Sequence, residues 1–242
     1  MFSIKSYFFA SRYRLLLLLV CITLLEQGKA QSLQDLETWT SISAQYKTPS
    51  KWSINLSQQF RLAEISTQWD RIFSELELAK KLGERWKANV GFRHMWVNDR
   101  VGKVQGLERH YRFHMDVSYA FRFKRLEIEN RLRYQRRNEL GLDETDGNYI
   151  EKNYRFKSAW MYDFQDFKND PIFIYELFCR SQTGVLDGFT KYRLGVEFKW
   201  KLGKRGRWKF GYLREKELFF WRPKTVHVFR FNYRLSFKSS SK

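Results

Sequence analysis

His110 and His114 are spaced as a zinc-binding pair would be on a helix, where positions i and i+4 share one face. On a strand the same side chains point the same way but stand roughly 13 Å apart, at about 3.3 Å per residue. The surrounding stretch reads as strand. Its odd positions are Tyr111, Phe113, Met115, Val117, Tyr119, Phe121 and Phe123, and its even positions are His110, Arg112, His114, Asp116, Ser118, Ala120 and Arg122. Such alternation sends successive side chains to opposite faces, one aromatic and one charged. A shared ion is excluded without ligands from another strand, so the expectation is two inward histidines hydrogen-bonded to neighbouring carboxylates. His94 and His227 fall on the apolar parity, where a position near a membrane boundary is expected.

A serine hydrolase needs a base within reach of its serine and a third group to orient that base. Lipid hydrolases that carry a His-x-Ser pair on one strand face give a specific pattern to look for. Here the second residue after each histidine is Trp96, Arg112, Asp116 or Phe229, never serine. The acidic loop 138–148, with Glu139, Asp143, Glu144 and Asp146, lacks the alternating oxygen ligands of a calcium loop. No cofactor, metal or catalytic residue is expected from these patterns. A lipid-modifying membrane enzyme is kept as the alternative to a non-enzymatic protein.

Charge on the polar parity is the more pervasive chemistry. Arg93, Arg112 and Asp116 fall there, as do Glu127, Glu129, Arg131 and Arg133 in a line along one strand, then Arg155, Lys191, Arg193 and Glu197. Arg61, Glu75, Glu77, Lys87, Lys157 and Lys199 complete the set, giving eleven basic and six acidic residues. One reading is structural, with cross-strand ion pairs neutralising a crowded interior. The other is a narrow electropositive conduit that favours anions.

The elements that must position these residues are strands. Alternating segments run at 37–46, 51–62, 71–82, 85–97, 109–123, 126–137, 150–164, 171–182, 189–202, 207–217 and 225–237. Each is long enough to cross a bilayer when tilted, which takes about 9–11 residues. All three prolines, Pro49, Pro171 and Pro223, fall at segment edges, where a missing N–H harms no ladder. Gly91, Gly195 and Gly211 lie inside segments and are read as bends at barrel corners. Connections alternate between tight turns (47–50, 83–84, 124–125, 203–206, with 165–170 somewhat longer) and a set that includes the longest ones (63–70, 98–108, 138–149, 183–188, 218–224). Trp52, Trp86, Trp200 and Trp208 adjoin the tight turns, as an interfacial aromatic girdle would. Phe229, Phe231, Tyr233, Leu235 and Phe237 alternate to an aromatic end, similar to the signal that barrel-assembly machinery reads, although a short tail 238–242 follows. If Phe237 ends at the periplasmic side, loops 98–108 and 138–149, including Lys103 and Asp143, face outward. The fold expected is all-β, an up-and-down antiparallel transmembrane β-barrel of 10–12 strands. Single-chain bacterial barrels normally have an even number, so the eleven segments counted point to twelve, or to ten if 37–46 is not a full strand.

The first thirty residues read as an export signal. Lys5, Arg12 and Arg14 form a basic region, Leu15 to Leu25 an apolar one, and Gly28-Lys29-Ala30 a small-residue cleavage site, leaving 31–242 as the barrel domain. The apolar run is too short for a transmembrane helix, and lipidation at Cys21 is disfavoured by Val20 before it. Cys179 is the only cysteine beyond that segment, which excludes an internal disulfide. Mean hydropathy is −0.60, as alternation averages each strand toward neutral. The net charge of +19 falls to +16 without the signal. Export and an even spread of bases argue against nucleic acid, leaving outer-membrane lipids and lipopolysaccharide as the partners expected, in the outer membrane of a Gram-negative bacterium.

The hairpin Trp39-Thr-Ser-Ile, then Lys51-Trp52-Ser53-Ile54-Asn55-Leu56 and Gln59-Phe60-Arg61, resembles a family of exported bacterial barrels, domain of unknown function 2490. Arg131-Leu-Arg-Tyr-Gln-Arg136 and Lys191-Tyr-Arg-Leu-Gly-Val-Glu197 are similar in style. The resemblance implies an outer-membrane barrel and carries no activity or catalytic residues with it.

Overall fold

Alternation along the chain becomes eleven strands: β1 Gln34–Lys47, β2 Trp52–Ala63, β3 Gln68–Lys81, β4 Trp86–Asp99, β5 Gly106–Phe123, β6 Leu126–Glu139, β7 Glu151–Tyr162, β8 Ile172–Ser181, β9 Gly188–Leu202, β10 Gly206–Glu217 and β11 Thr225–Lys238. They come from a computed structural model that describes residues 33–100, 105–141, 150–165, 169–181 and 187–239. Residues 1–30, read above as an export signal, and the loop positions Lys103 and Asp143 lie outside the described residues. Among the described residues no helix is long and apolar enough to cross a membrane.

The strands close into a barrel in which each pairs antiparallel with its chain neighbour. The seam is different. β1 and β11 pair in parallel over their whole length, from Gln34↔Thr225 to Lys47↔Lys238. The expected even count therefore gives way to eleven. The segment at 37–46 is a full strand, with β11 on one side and β2 on the other. Closure requires only that both edges find a partner. A parallel ladder is slightly weaker per residue than an antiparallel one, but an open edge leaves a whole row of backbone groups unpaired.

An odd count puts the two ends of the barrel wall on opposite rims. β1, β3, β5, β7, β9 and β11 end at one rim, the turn rim, with turns 48–51, 82–85, 124–125 and 203–205; β2, β4, β6, β8 and β10 end at the other, the loop rim, where β1 begins and 64–67 and 218–224 lie. The β2–β3 connection is much shorter than the 63–70 read from the sequence. Glu64, Ile65 and Ser66 take φ of 51°, 59° and 60°, so the chain reverses tightly through three successive left-handed residues. Asp35 holds this turn by accepting from the Ile65 N–H at 3.2 Å, and the Leu36 carbonyl accepts from Ser66 N–H at 2.9 Å.

The two faces separate as the alternation requires. Outside, Ile42, Leu56, Leu76, Phe92, Leu132 and Phe173 are all exposed, with Trp52, Trp86, Trp160 and Trp200 toward the turn rim. Inside, Trp39, Phe73, Met95, Ile174, Leu213 and Val228 are buried among charged groups. The three strand glycines have a packing role. Each faces a large inward side chain across the ladder: Gly91 opposite His114, Gly195 opposite Leu213 and Gly211 opposite Glu197. A Cβ on Gly91 would fall 2.3 Å from the His114 ring, and one on Gly211 would fall 2.7 Å from Glu197 Cγ. His114, Leu213 and Glu197 are among the most buried side chains in the protein, so the glycines make the room in which they fit.

Candidate functional site: the charged lumen

Inward charges on successive strands form a belt around the lumen. Arg93 on β4 donates from Nε to Glu75 on β3 at 2.8 Å. Asp116 on β5 accepts two bonds from Arg133 on β6, at 2.5 and 2.6 Å, in the bidentate geometry that suits a guanidinium. Glu176 on β8 is the hub of the other wall. It receives Arg155 of β7 at 2.7 Å, Arg193 of β9 at 2.9 Å and Arg131 of β6 at 3.3 Å. Arg193 also pairs with Glu215 of β10, which Lys191 meets at 2.8 Å. Lower on that side Glu197 is held by Arg230 at 2.7 Å and Lys209 at 3.1 Å.

Several contacts join strands that are not neighbours, Arg230 of β11 with Glu197 of β9 among them. Arg131 reaches from β6 past β7 to Glu176, and Arg133 reaches from β6 to Glu77 on β3 at 3.6 Å. The belt thus crosses the interior rather than lining its wall. Aromatic rings fill the space beside it. The Arg61 guanidinium sits 3.7 Å over Trp39 and that of Arg93 sits 3.6 Å over Phe73. Trp39, Ile172, Ile174, Leu213, Val226 and Val228 form an apolar cluster within the same lumen.

Both histidines take the predicted role. His114 is fully buried, with Nε2 3.3 Å from Glu77, and His110 Nε2 lies 2.7 Å from Glu108. Each sits in its own group of possible ligands, Glu75–Glu77–His114 and Glu108–His110–Glu139. The two are not brought together, as the strand spacing required. Arg93 and Arg133 already occupy the carboxylates of the first group, so a cation there would meet guanidiniums at close range.

Arg93, Arg112, Asp116, Arg131, Arg133, Arg155, Lys191, Arg193 and Glu197 all face the lumen as their parity predicted. Glu127 and Glu129 keep inward parity but lie toward the turn rim, where neither makes an ion pair among the described residues. The line of two acids and two bases along β6 is therefore not a self-contained unit; its arginines are neutralised by Asp116 and Glu176 instead. The sequence reading missed Glu176, Glu215 and Trp39. β8 is apolar on both faces, so its alternation was hidden, and the one acid in Ile172–Ser181 was the available signal.

In the connection before β11, Lys224 ties that connection to the first strand, with Nζ 2.9 Å from Asp35. Burial draws its pKa down, but the hydrogen bond and charge of Asp35 more than offset this and hold it above the usual lysine value. On the outer face His227 accepts or donates at 2.6 Å with Tyr212, and His94 packs edge-on against Trp96, both on the apolar parity as read. An open groove of about 450 Å³ lies on that face too, between Met115, Leu132, Tyr154 and Phe189. Its lining holds Cys179 but no histidine or serine.

The family described as protein of unknown function DUF2490 matches residues 36–219. No curated protein matches the chain.

Proposed function

From a chain that belongs to the DUF2490 family, we propose a non-enzymatic barrel of the bacterial outer membrane whose lumen is held shut by its own ion pairs. The observation that carries this is the cross-lumen belt centred on Glu176 and Asp116, inside a wall whose outer face exposes apolar side chains on every strand but β10. A contiguous band of that kind is unfavourable in water and suits hydrocarbon, while the aromatic residues at the turn rim suit a headgroup interface. Lipid and lipopolysaccharide are the surroundings of the outer face, and barrel-assembly machinery inserts the chain. The inner face carries more bases than acids, so any leak favours anions.

Refolded into detergent, the protein should migrate differently on gels with and without boiling. In planar bilayers it should give no conductance, or a small anion-favouring one. A large cation-selective current would overturn the closed lumen. Lipids extracted from cells with and without the gene should be identical; a change in acyl chains or headgroups would make the protein an enzyme.

Parallel closure gives a second expected result. In a Cys179→Ser background, Leu33→Cys and Ile65→Cys should react with an impermeant thiol reagent on intact cells. Ser50→Cys and Ser239→Cys should react only after the outer membrane is opened, because they lie at the turn rim. Labelling of Leu33→Cys and Ser239→Cys from the same side would mean an even strand count.

A further inference from the structure

Toward the turn rim the lumen follows a different rule from its middle. At mid-height cations also stand opposite one another, as Arg93 does Arg112 and Arg133 does Arg155, but Glu75, Asp116 and Glu176 lie among them and pair with Arg93, Arg133 and Arg155. Near the turns, like charges face each other. Arg207 on β10 is directly opposite Lys201 of β9 on one side and Arg234 of β11 on the other, and Lys81 of β3 is directly opposite Lys87 of β4. All five keep the inward parity of their strands and are exposed at the mouth. Lys47, the last residue of β1, stands between the two groups and feels the charges of Arg207, Arg234 and Lys81 together.

Among the described residues, none of these six cations has a carboxylate partner. Glu77 is the acid that Arg234 senses, but His114 and Arg133 already hold it. Glu84, in the β3–β4 turn, makes no ion pair with them. Like charges directly opposite on a sheet are destabilising, and here three such oppositions accumulate at one mouth. Arg93, Arg131, Arg133, Arg155 and Arg193 at mid-height each have a carboxylate partner, whereas this cluster has none among the described residues.

We propose that the turn-rim mouth of the lumen is a binding site for an anion bearing two or more phosphate groups, which enters from that side. Phosphate fits the donor set. Paired guanidiniums offer bidentate forks to its oxygens, and the lysines supply point charges beside them. Adjacent strands stand about 4.8 Å apart, so the arc from β9 through β11 and β1 to β4 is far wider than one phosphate. A ligand with several phosphates can span both groups, with Lys47 between them. The site rests on the barrel reading above, because only a closed barrel brings β9 and β4 to one mouth.

The test uses the full-length protein refolded in neutral detergent. Tripolyphosphate binding is measured by calorimetry, with sulfate as control and lysophosphatidic acid in the micelle as a second arm. Tripolyphosphate is expected to bind and to raise the unfolding temperature, since a ligand of the folded state stabilises it. Arg207→Gln/Arg234→Gln should weaken binding about a hundredfold, at roughly tenfold for each charge-assisted hydrogen bond removed. In the absence of anion that variant should be no less stable than the parent, because it removes a repulsion; a merely structural pair would lose stability. Lys152→Gln, at the loop rim, should bind as the parent does. Binding by lysophosphatidic acid alone would assign the site to a lipid headgroup, and by tripolyphosphate alone to a free oligophosphate. Equal binding of sulfate, no binding at all, or binding unchanged in the double variant would overturn the site. Heat-modifiable migration of the same samples separates that outcome from failure of the barrel itself.

Discussion

Glu176→Gln is expected to cost the folded barrel about 3–5 kcal/mol, the range for removing one partner of a buried ion pair. The size follows from its three partners. Glu176 is 3% exposed and neutralises Arg155, Arg193 and Arg131 from three different strands. Glutamine keeps the shape and one acceptor oxygen but removes the charge, leaving three guanidiniums facing one another across a narrow lumen. Glu215 relieves only Arg193, and Asp116 lies 4.0 Å from Arg131, while Arg155 keeps the Gln135 side chain at 3.1 Å and the Phe178 ring at 4.5 Å. The check is a urea titration of the refolded protein, read by gel migration without boiling. Pairing the change with Arg155→Gln should recover part of the loss, because one orphaned charge goes with it. A midpoint unchanged by Glu176→Gln would mean that lumen water, not protein, solvates these arginines. The belt would then no longer account for a closed interior.

Gly195→Ala is the second large effect, about 3 kcal/mol, at the upper end of overpacking costs. Its Cβ would lie 2.3 Å from Leu213 Cδ2 and 2.5 Å from the Tyr212 carbonyl oxygen. The side chain could turn aside, but the carbonyl belongs to β10, whose ladder with β9 it would have to open. Adding Leu213→Ala should therefore rescue only partly. Gly91→Ala provides the contrast. All three of its nearest atoms belong to the His114 ring, so His114→Ala should rescue it almost completely. Equal rescue of the two double variants, read by the same urea titration, would refute the distinction between a backbone and a side-chain obstacle.

The glycines also mark how far the sequence could be read. Their position inside strands was visible, and bends were the ordinary meaning of such a position. Their role depends on which residue stands opposite, and register across the ladder places Gly91 beside His114 and Gly211 beside Glu197. Histidine is a similar case. Spacing on a strand was enough to separate His110 from His114, but not to choose Glu108 for one and Glu77 for the other.

The sequence by itself determined that this chain is built of strands, which side chains face in and which face out wherever polar and apolar residues alternate, and that the inner face is charged. Those properties have period two and need only the residue and its neighbours. It also placed Arg131, Arg133, Arg155 and Arg193 correctly inside. Tertiary structure alone decided the count and closure, because whether β1 pairs with β11 is a contact between residues such as Ile42 and Tyr233, at opposite ends of the chain. It alone decided which charges are paired. Glu176 meets arginines from β6, β7 and β9, and Arg207 stands opposite only other cations, yet each is a charged residue on the inward parity of its strand. The difference lies in strand register and barrel shear, which set the height of each side chain in the lumen, and no local pattern encodes height.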